Sequence, residues 1–144
     1  MGILNFQSNF IHMNFTFTFD KIPNIQDIIT IYDTAVLKRP TESAERIAKM
    51  YENSSLVIAA WHDEKLIGVA RSLTDFSYCC YLSDLAIHPE YQKHGIGKKL
   101  IDLTKDKIGD ECMLLLLSVP TAMEYYPKVG FEKVENGFII KRKN

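Results

Sequence analysis

The sequence predicts one mixed α/β (α+β) domain, a mostly antiparallel sheet flanked by helices. Three observations carry that expectation. Residues 14–19 read Asn-Phe-Thr-Phe-Thr-Phe, a strict alternation of β-forming residues. Residues 56–88 hold three strand-like stretches separated by short polar turns, the pattern of antiparallel hairpins. An amphipathic stretch of helical length over 95–108 and an apolar run over 113–117 come next, so the sheet takes a crossover and is mixed. With 144 residues and no linker, repeat or low-complexity tract, the chain 1–144 reads as a single domain.

Residues 1–12 fit two readings, a poorly ordered leader before an alternative start at Met13 or an extra edge of the sheet. Pro23-Asn24 opens the first helix, with Asn24 as N-cap, Asp27 three residues on, and Ile25, Ile28, Ile29 and Tyr32 at helical spacing. Pro40-Thr41 starts a second helix with Ala44, Ile47 and Tyr51 on one face, ended by Asn53-Ser54-Ser55. Residues 56–61 and 66–74 pair across the turn His62-Asp63-Glu64-Lys65, and residues 78–88 form a further strand that Pro89 stops. Ile96, Leu100, Leu103 and Ile108 recur on one side of the next helix. Residues 113–117 lack polar alternation, which suits a strand buried on both faces. A short helix over 121–128 and a closing hairpin, 131–134 with 138–141 around Asn136-Gly137, complete the expected order.

Composition narrows the function. Hydrophobic residues make up 47% of the chain, enough for a core without metal or disulfide staples. Lys plus Arg total 17 against 18 Asp plus Glu, so nothing draws the whole protein to nucleic acid or to an anionic membrane. An anion-binding site must then be local. Cys79, Cys80 and Cys112 make no disulfide framework, and the scattered His12, His62, His88 and His94 suggest no metal site. The longest apolar run is too short to cross a bilayer, and the N-terminus lacks a secretory pattern, so the expected location is cytoplasmic.

Chemistry concentrates between residues 81 and 100, a strand, a stop, a glycine-bearing loop and a helix. A helix N-terminus offers unpaired N–H groups and partial positive charge. Gly95 and Gly97 let a phosphate approach the backbone, and Lys93, His94 and Lys98 cluster beside them. A tight structural turn would use the same glycines. The ATP-binding loop is excluded because Lys99 follows Lys98, and the dinucleotide fingerprint because Leu100 stands where a third small residue is needed.

Three segments match a known family in the right order. Gln92-Lys93-His94-Gly95-Ile96-Gly97 resembles the Q/R-x-x-G-x-G/A motif of the GNAT superfamily of acetyl-CoA-dependent N-acetyltransferases. Asp84-Leu85-Ala86-Ile87-His88-Pro89 resembles that family's D-L-A-V-x-P strand, and Ala122…Tyr125-Tyr126-Pro127-Lys128-Val129-Gly130-Phe131 its A…F-Y-x-K-x-G-F segment. The chain departs at Val119-Pro120, where many relatives carry Asn seven residues before the tyrosine, and this puts detailed transfer near Ser118 in doubt. The resemblance implies a sheet splayed between the strand ending at Ile87 and residues 113–117, with acetyl-CoA in the gap. Its pantetheine arm would bond the backbone of Leu85, Ala86 and Ile87. Its diphosphate would rest on Gln92, Lys93, His94, Gly95, Ile96, Gly97 and Lys98.

Acetyl transfer to an amine needs a deprotonated nucleophile, since only roughly one part in a thousand of a lysine-like amine is neutral at pH 7. It also needs a donor for the departing thiolate. Tyr126 occupies the family position whose phenol reaches the coenzyme sulfur; a core tyrosine is the plainer reading of the residue alone. Tyr125 points about 100° away on a helix and cannot serve the same atom. Asp84, a carboxylate in an apolar strand, is the candidate base or amine holder, balanced against a buried ion pair with Arg71. Glu124 is explained by a capping box from Thr121. Arg71, Ser72, Tyr78 and Ser83 are candidates for the acceptor side or for structure. Cys79 and Cys80 read as packing residues, and His88 as a strand end. The expected partners are acetyl-CoA and an amine acceptor, with a homodimer through the aromatic N-terminus and Phe138-Ile139-Ile140. A coenzyme A-binding sensor or interaction module without turnover is the alternative.

Overall fold

The computed structural model describes residues 2–7, 13–19 and 21–144. Six strands form one sheet in sequence order: β1 (Ile3–Gln7), β2 (Asn14–Thr18), β3 (Leu56–His62), β4 (Lys65–Thr74), β5 (Cys79–Ile87) and β6 (Met113–Leu115). All neighbours are antiparallel except β5 and β6, which the crossover helix α3 (Ile96–Ile108) joins in parallel. The sheet is mixed, as the sequence predicts. Of the stretch with two readings, Ile3–Gln7 pairs with β2 as the sheet's edge, and residues 1 and 8–12 lie outside the described residues.

Helices cover both faces. Helix α1 (Ile25–Thr34) starts at Asn24, whose side chain accepts the Gln26 N–H at 2.9 Å. Helix α2 (Ala44–Glu52) starts later than expected, because Ser43 rather than Pro40-Thr41 supplies the cap, accepting the Arg46 N–H at 3.2 Å. Ile28, Ile31, Tyr32, Ile47 and Tyr51 from these helices pack on Val57, Ala59, Leu66, Val69 and Ala86. On the opposite face, Ile96, Leu100, Ile101, Leu103 and Ile108 of α3 pack on Leu56, Ile58, Ala60, Ile67, Ala70, Cys80 and Leu82. Residues of β3 alternate between the two layers, so a strand apolar on both faces is buried on both.

An irregularity in β5 positions the site. Arg71 of β4 pairs with Asp84, but Ser72 pairs with Leu82, leaving Ser83 as the extra residue of a bulge. A one-residue slip exchanges faces. Cys80 and Leu82 face α3 before the bulge, and Leu85 and Ile87 do so after it. Asp84 is thereby turned with Ala86 toward α1 and α2. The parallel pairing with β6 stops at Tyr81–Leu115, just before the bulge bends the strand. From Leu82 to Ile87, about 20 Å of strand, that edge of β5 has no strand partner among the described residues.

The C-terminal third differs from expectation. Strand β6 is limited to Met113–Leu115 and is not buried on both faces, since Met113 is 55% and Leu117 62% exposed. The expected hairpin over 131–134 and 138–141 does not form: the described residues 131–144 contain no strand, and Phe138 and Ile140 are fully exposed. With no described strand paired to its outer edge, β6 stays half covered. The helix expected over 121–128 is broken into a 3-10 turn at Pro120–Ala122 and the short helix α4 (Tyr125–Lys128). No Thr121–Glu124 capping box forms, because Thr121 lies inside the 3-10 turn and Glu124 caps α4 without a side-chain bond.

Candidate active site

The free edge of β5 leads to the start of α3. His88 ends the strand and accepts the Glu90 N–H at 3.2 Å, opening the 3-10 turn Pro89–Tyr91. The Gln92 side chain donates to the Ile87 carbonyl at 3.2 Å and ties the loop to the strand end. Gly95 caps α3 with φ 77°, a left-handed backbone that disfavours a side chain, and it supplies no side-chain cap. Lys93 also sits at positive φ, 69°. A Cβ at Gly97 would stand 3.0 Å from the Tyr125 hydroxyl, so that glycine lets the tyrosine close on the helix. The helix start therefore presents N–H groups free of any side-chain cap, and the loop Gln92–Gly95 lies beside them. Lys98 is held by Asp102 one turn on, at 2.7 Å. His94 packs edge-on against Phe15 with ring centroids 6.1 Å apart.

Between the free edge of β5, β6 and the loop after α1 lies a cavity of about 810 Å³. Leu82, Ser83 and Leu85 form one wall and Leu116 to Val119 another, with Tyr126 among the lining residues. The Tyr126 ring packs edge-on against Phe131 at 5.5 Å. Burial, and then the neighbouring Tyr125, raises the Tyr126 phenol above its ordinary value, so it keeps its proton at neutral pH. Tyr125 is directed to the start of α3 instead. Its phenol is raised by burial and by Asp102, against a lowering effect of Lys98. The adjacent tyrosines thus serve different places, as helical geometry requires.

Asp84 does not line this cavity. Its side chain is fully buried and accepts from the Nε of Arg71 and the Nε of Arg39, and from the Tyr32 hydroxyl at 2.9 Å. Tyr32 in turn meets the Tyr51 hydroxyl at 2.6 Å. The guanidiniums also satisfy the bulge: Arg39 donates to the Ser83 carbonyl at 2.7 Å and Arg71 to the Ser83 hydroxyl at 2.9 Å. Burial pulls the Arg71 guanidinium down, but the hydrogen bond and charge of Asp84 outweigh it and the net shift is upward. Burial raises both tyrosine phenols, with Tyr51 and Asp84 adding to the rise at Tyr32. The ion pair with Arg71, one of two roles read from the sequence, is thus present.

The cavity brings Tyr126, Leu85, Arg71 and Ser83 together. Ser72 is buried and Tyr78 is 77% exposed, and neither lines it. Cys79, Cys80 and Cys112 are free thiols outside it. Sequence reasoning missed Arg39, Arg46, Tyr32 and Tyr51. A signal existed for the tyrosines: both sit on apolar helix faces, and a buried phenol needs a hydrogen-bond partner. Among the described residues no cluster suited to a metal occurs, and no helix is long and apolar enough to cross a membrane.

Residues 29–141 match the family model described as acetyltransferase (GNAT) domain. An uncharacterized N-acetyltransferase, ycf52, of Pyropia yezoensis is 29% identical over 107 residues, 70% of this chain. The match spans 60% of that relative's own length. Among solved structures, a protein of unknown function from meticillin-resistant Staphylococcus aureus, described as a probable acetyltransferase, superposes with TM-score 0.76 at 22% identity, covering 89% of this chain and 99% of the other. An aminoglycoside N-acetyltransferase, AAC(6')-Iy, solved with coenzyme A gives TM-score 0.69 at 13% identity, covering 90% and 95%. At such identities the two structures establish the shared fold.

Proposed function

Because the chain belongs to the GNAT acetyltransferase family, we propose that it moves an acetyl group from acetyl-CoA to an amine by direct attack on the thioester. The observation that carries this reading is the free edge of β5. It opens on one side to the uncapped start of α3 and on the other to the cavity that holds Tyr126. The residues present fit the coenzyme: the first turn of α3 offers N–H groups for a diphosphate, and the unpaired strand edge offers backbone groups to an extended amide-bearing arm. Leu85, Ala86 and Ile87 would hold that arm, and Gln92, Lys93, His94, Gly95, Ile96, Gly97 and Lys98 the diphosphate. Bound there, acetyl-CoA supplies the activated acetyl group.

The chain's own part is to align, to exclude water and to move protons. Tyr126, protonated and half-buried at the cavity wall, gives its phenolic proton to the leaving sulfur. Asp84, saturated by two guanidiniums and a phenol, acts as a positioning residue and not as the base. It fixes Arg39 and Arg71 and, through them, the bulge that opens the sheet. The amine's proton then leaves to solvent through the cavity mouth, and solvent returns a proton to the Tyr126 phenolate.

Calorimetry with coenzyme A, followed by release of free thiol from acetyl-CoA with a panel of amines, tests the proposal. Binding with amine-dependent thiol release supports it. Binding without release from any amine would favour the non-catalytic sensor. Assembly as a homodimer through exposed apolar residues such as Phe138 and Ile140 belongs to the same proposal. A monomer mass by light scattering across a wide concentration range would reject it.

A further inference from the structure

The cavity has a charge sign that the whole protein lacks. Lys38, Arg39, Arg46, Arg71 and Arg142 line it, and among the described residues no aspartate or glutamate does. The chain as a whole carries -1. One carboxylate lies behind the wall, Asp84, and it is shared between Arg39 and Arg71, so that trio keeps a net positive charge. Those two guanidiniums are occupied by Asp84, Ser83 and, for Arg71, Ser54. Among the described residues, Lys38, Arg46 and Arg142 have no ion-pair partner. Arg46 projects from α2, a rigid element with a side-chain-capped start, rather than from a loop.

Unpaired cations held around a cavity oppose a polycationic ligand and favour an anionic one. A guanidinium also grips carboxylate or phosphate with two parallel bonds, which orients what it holds. Resting on the acetyl-transfer reading above, we propose that the acceptor is an amine that also carries an anionic group, carboxylate or phosphate, clamped by Arg46 with Lys38 and Arg142 at the mouth. The clamp leaves the acceptor's amine facing the free edge of β5. The same positive surroundings disfavour the ammonium form and release the amine's proton to solvent. This gives the site a way to work without a carboxylate base, which the cavity does not contain among the described residues.

The test uses the full chain and a series of ω-amino acids whose amine and carboxylate are one to five carbons apart. Each is compared with its own carboxamide, and phosphoethanolamine is compared with ethanolamine. Spermidine is the cationic control. At the fitting spacing, the acid should exceed its amide at least about tenfold in kcat/KM, the scale of one charge-assisted hydrogen bond. The two anion arms show whether carboxylate or phosphate is the natural group. Arg46→Gln should remove that preference and Arg46→Lys should restore part of it. Equilibrium titration of the same pairs, with and without coenzyme A, reads the preference even where no turnover occurs. Absent transfer with a retained preference for the anion would overturn the transfer reading alone. Equal affinity and turnover of acid and amide at every spacing, or a preference for spermidine, would overturn the anionic acceptor. So would an Arg46→Gln variant that loses affinity for coenzyme A while keeping the acid preference, since the cations would then serve the coenzyme.

Discussion

Replacing Asp84 by Asn separates a structural role from a catalytic one. The substitution keeps the shape but removes the charge between Arg39 and Arg71 and places an amide N–H₂ where a guanidinium N–H donates. Arg71 is only 6% exposed, so its charge cannot turn to water, while Arg39 is partly exposed and can. Breaking a buried pair by removing one partner costs about 3–5 kcal/mol, because the other charge stays desolvated. For a domain of this size that is a fall of about 10–15 °C in Tm. Thermal and urea unfolding measure it. The double variant Asp84→Leu with Arg71→Met removes both buried charges, leaves the partly exposed Arg39 to turn to water, and should recover most of the loss, a response that a catalytic base would not give. Acetyl transfer by the single variant should fall with the folded fraction and with the gap geometry, without recovery at high pH. The reasoning is refuted if Asp84→Asn unfolds like the parent while kcat collapses and is rescued by alkaline buffer. That result would make Asp84 the base.

Tyr126→Phe keeps the ring against Phe131 and should lower kcat and kcat/KM together, by about 10²–10⁴-fold, with acetyl-CoA affinity nearly intact. A loss confined to KM for the acceptor would make the phenol a substrate contact. Gly97→Glu should abolish coenzyme A binding in a calorimeter without unfolding the chain. The new Cβ displaces only the end of the partly exposed Tyr125, and a carboxylate in the first turn suits the helix while it fills the place of the phosphate. Unchanged affinity would move the diphosphate elsewhere. Asp75 accepts the N–H groups of Tyr78, Ser77 and Cys79 at 2.8, 2.9 and 3.1 Å, and these hold its carboxyl down at about 2. Its folded value lies below its unfolded one of about 3.9. The turn's stabilisation is therefore complete above that value and is lost as pH falls through about 2. NMR titration of the carboxyl near 4 would contradict this.

The identity of most elements was legible because burial leaves a period in the sequence. The alternating 14–19 stretch, the Asn24 cap and the amphipathic stretch 95–108 became β2, α1 and α3 within a residue or two. The glycine-led helix start was legible for a local reason too: Gly95 and Gly97 answer to backbone angle and close approach, which involve near neighbours. The C-terminal hairpin was read from the Asn136-Gly137 turn signal and its apolar flanks and does not form, since Phe138 to Ile140 pair only if another strand edge meets them.

Nothing in the run of residues 78–88 announces the bulge at Ser83, because a bulge is a relation between two strands. Yet that one extra residue turns Asp84 away from the cavity and toward Tyr32, and ends the pairing with β6. Arg39 and Arg46 lay in a loop and on a helix about 40 residues before the recognisable motif, with no periodicity of their own. The sequence by itself determined most of the elements, the family resemblance and the place of the glycine-led start of α3, all set by local backbone chemistry and burial periodicity. Which carboxylate is neutralised, which tyrosine faces the cavity and which sign of charge lines it were decided by the tertiary structure, because each depends on residues brought together across the sheet.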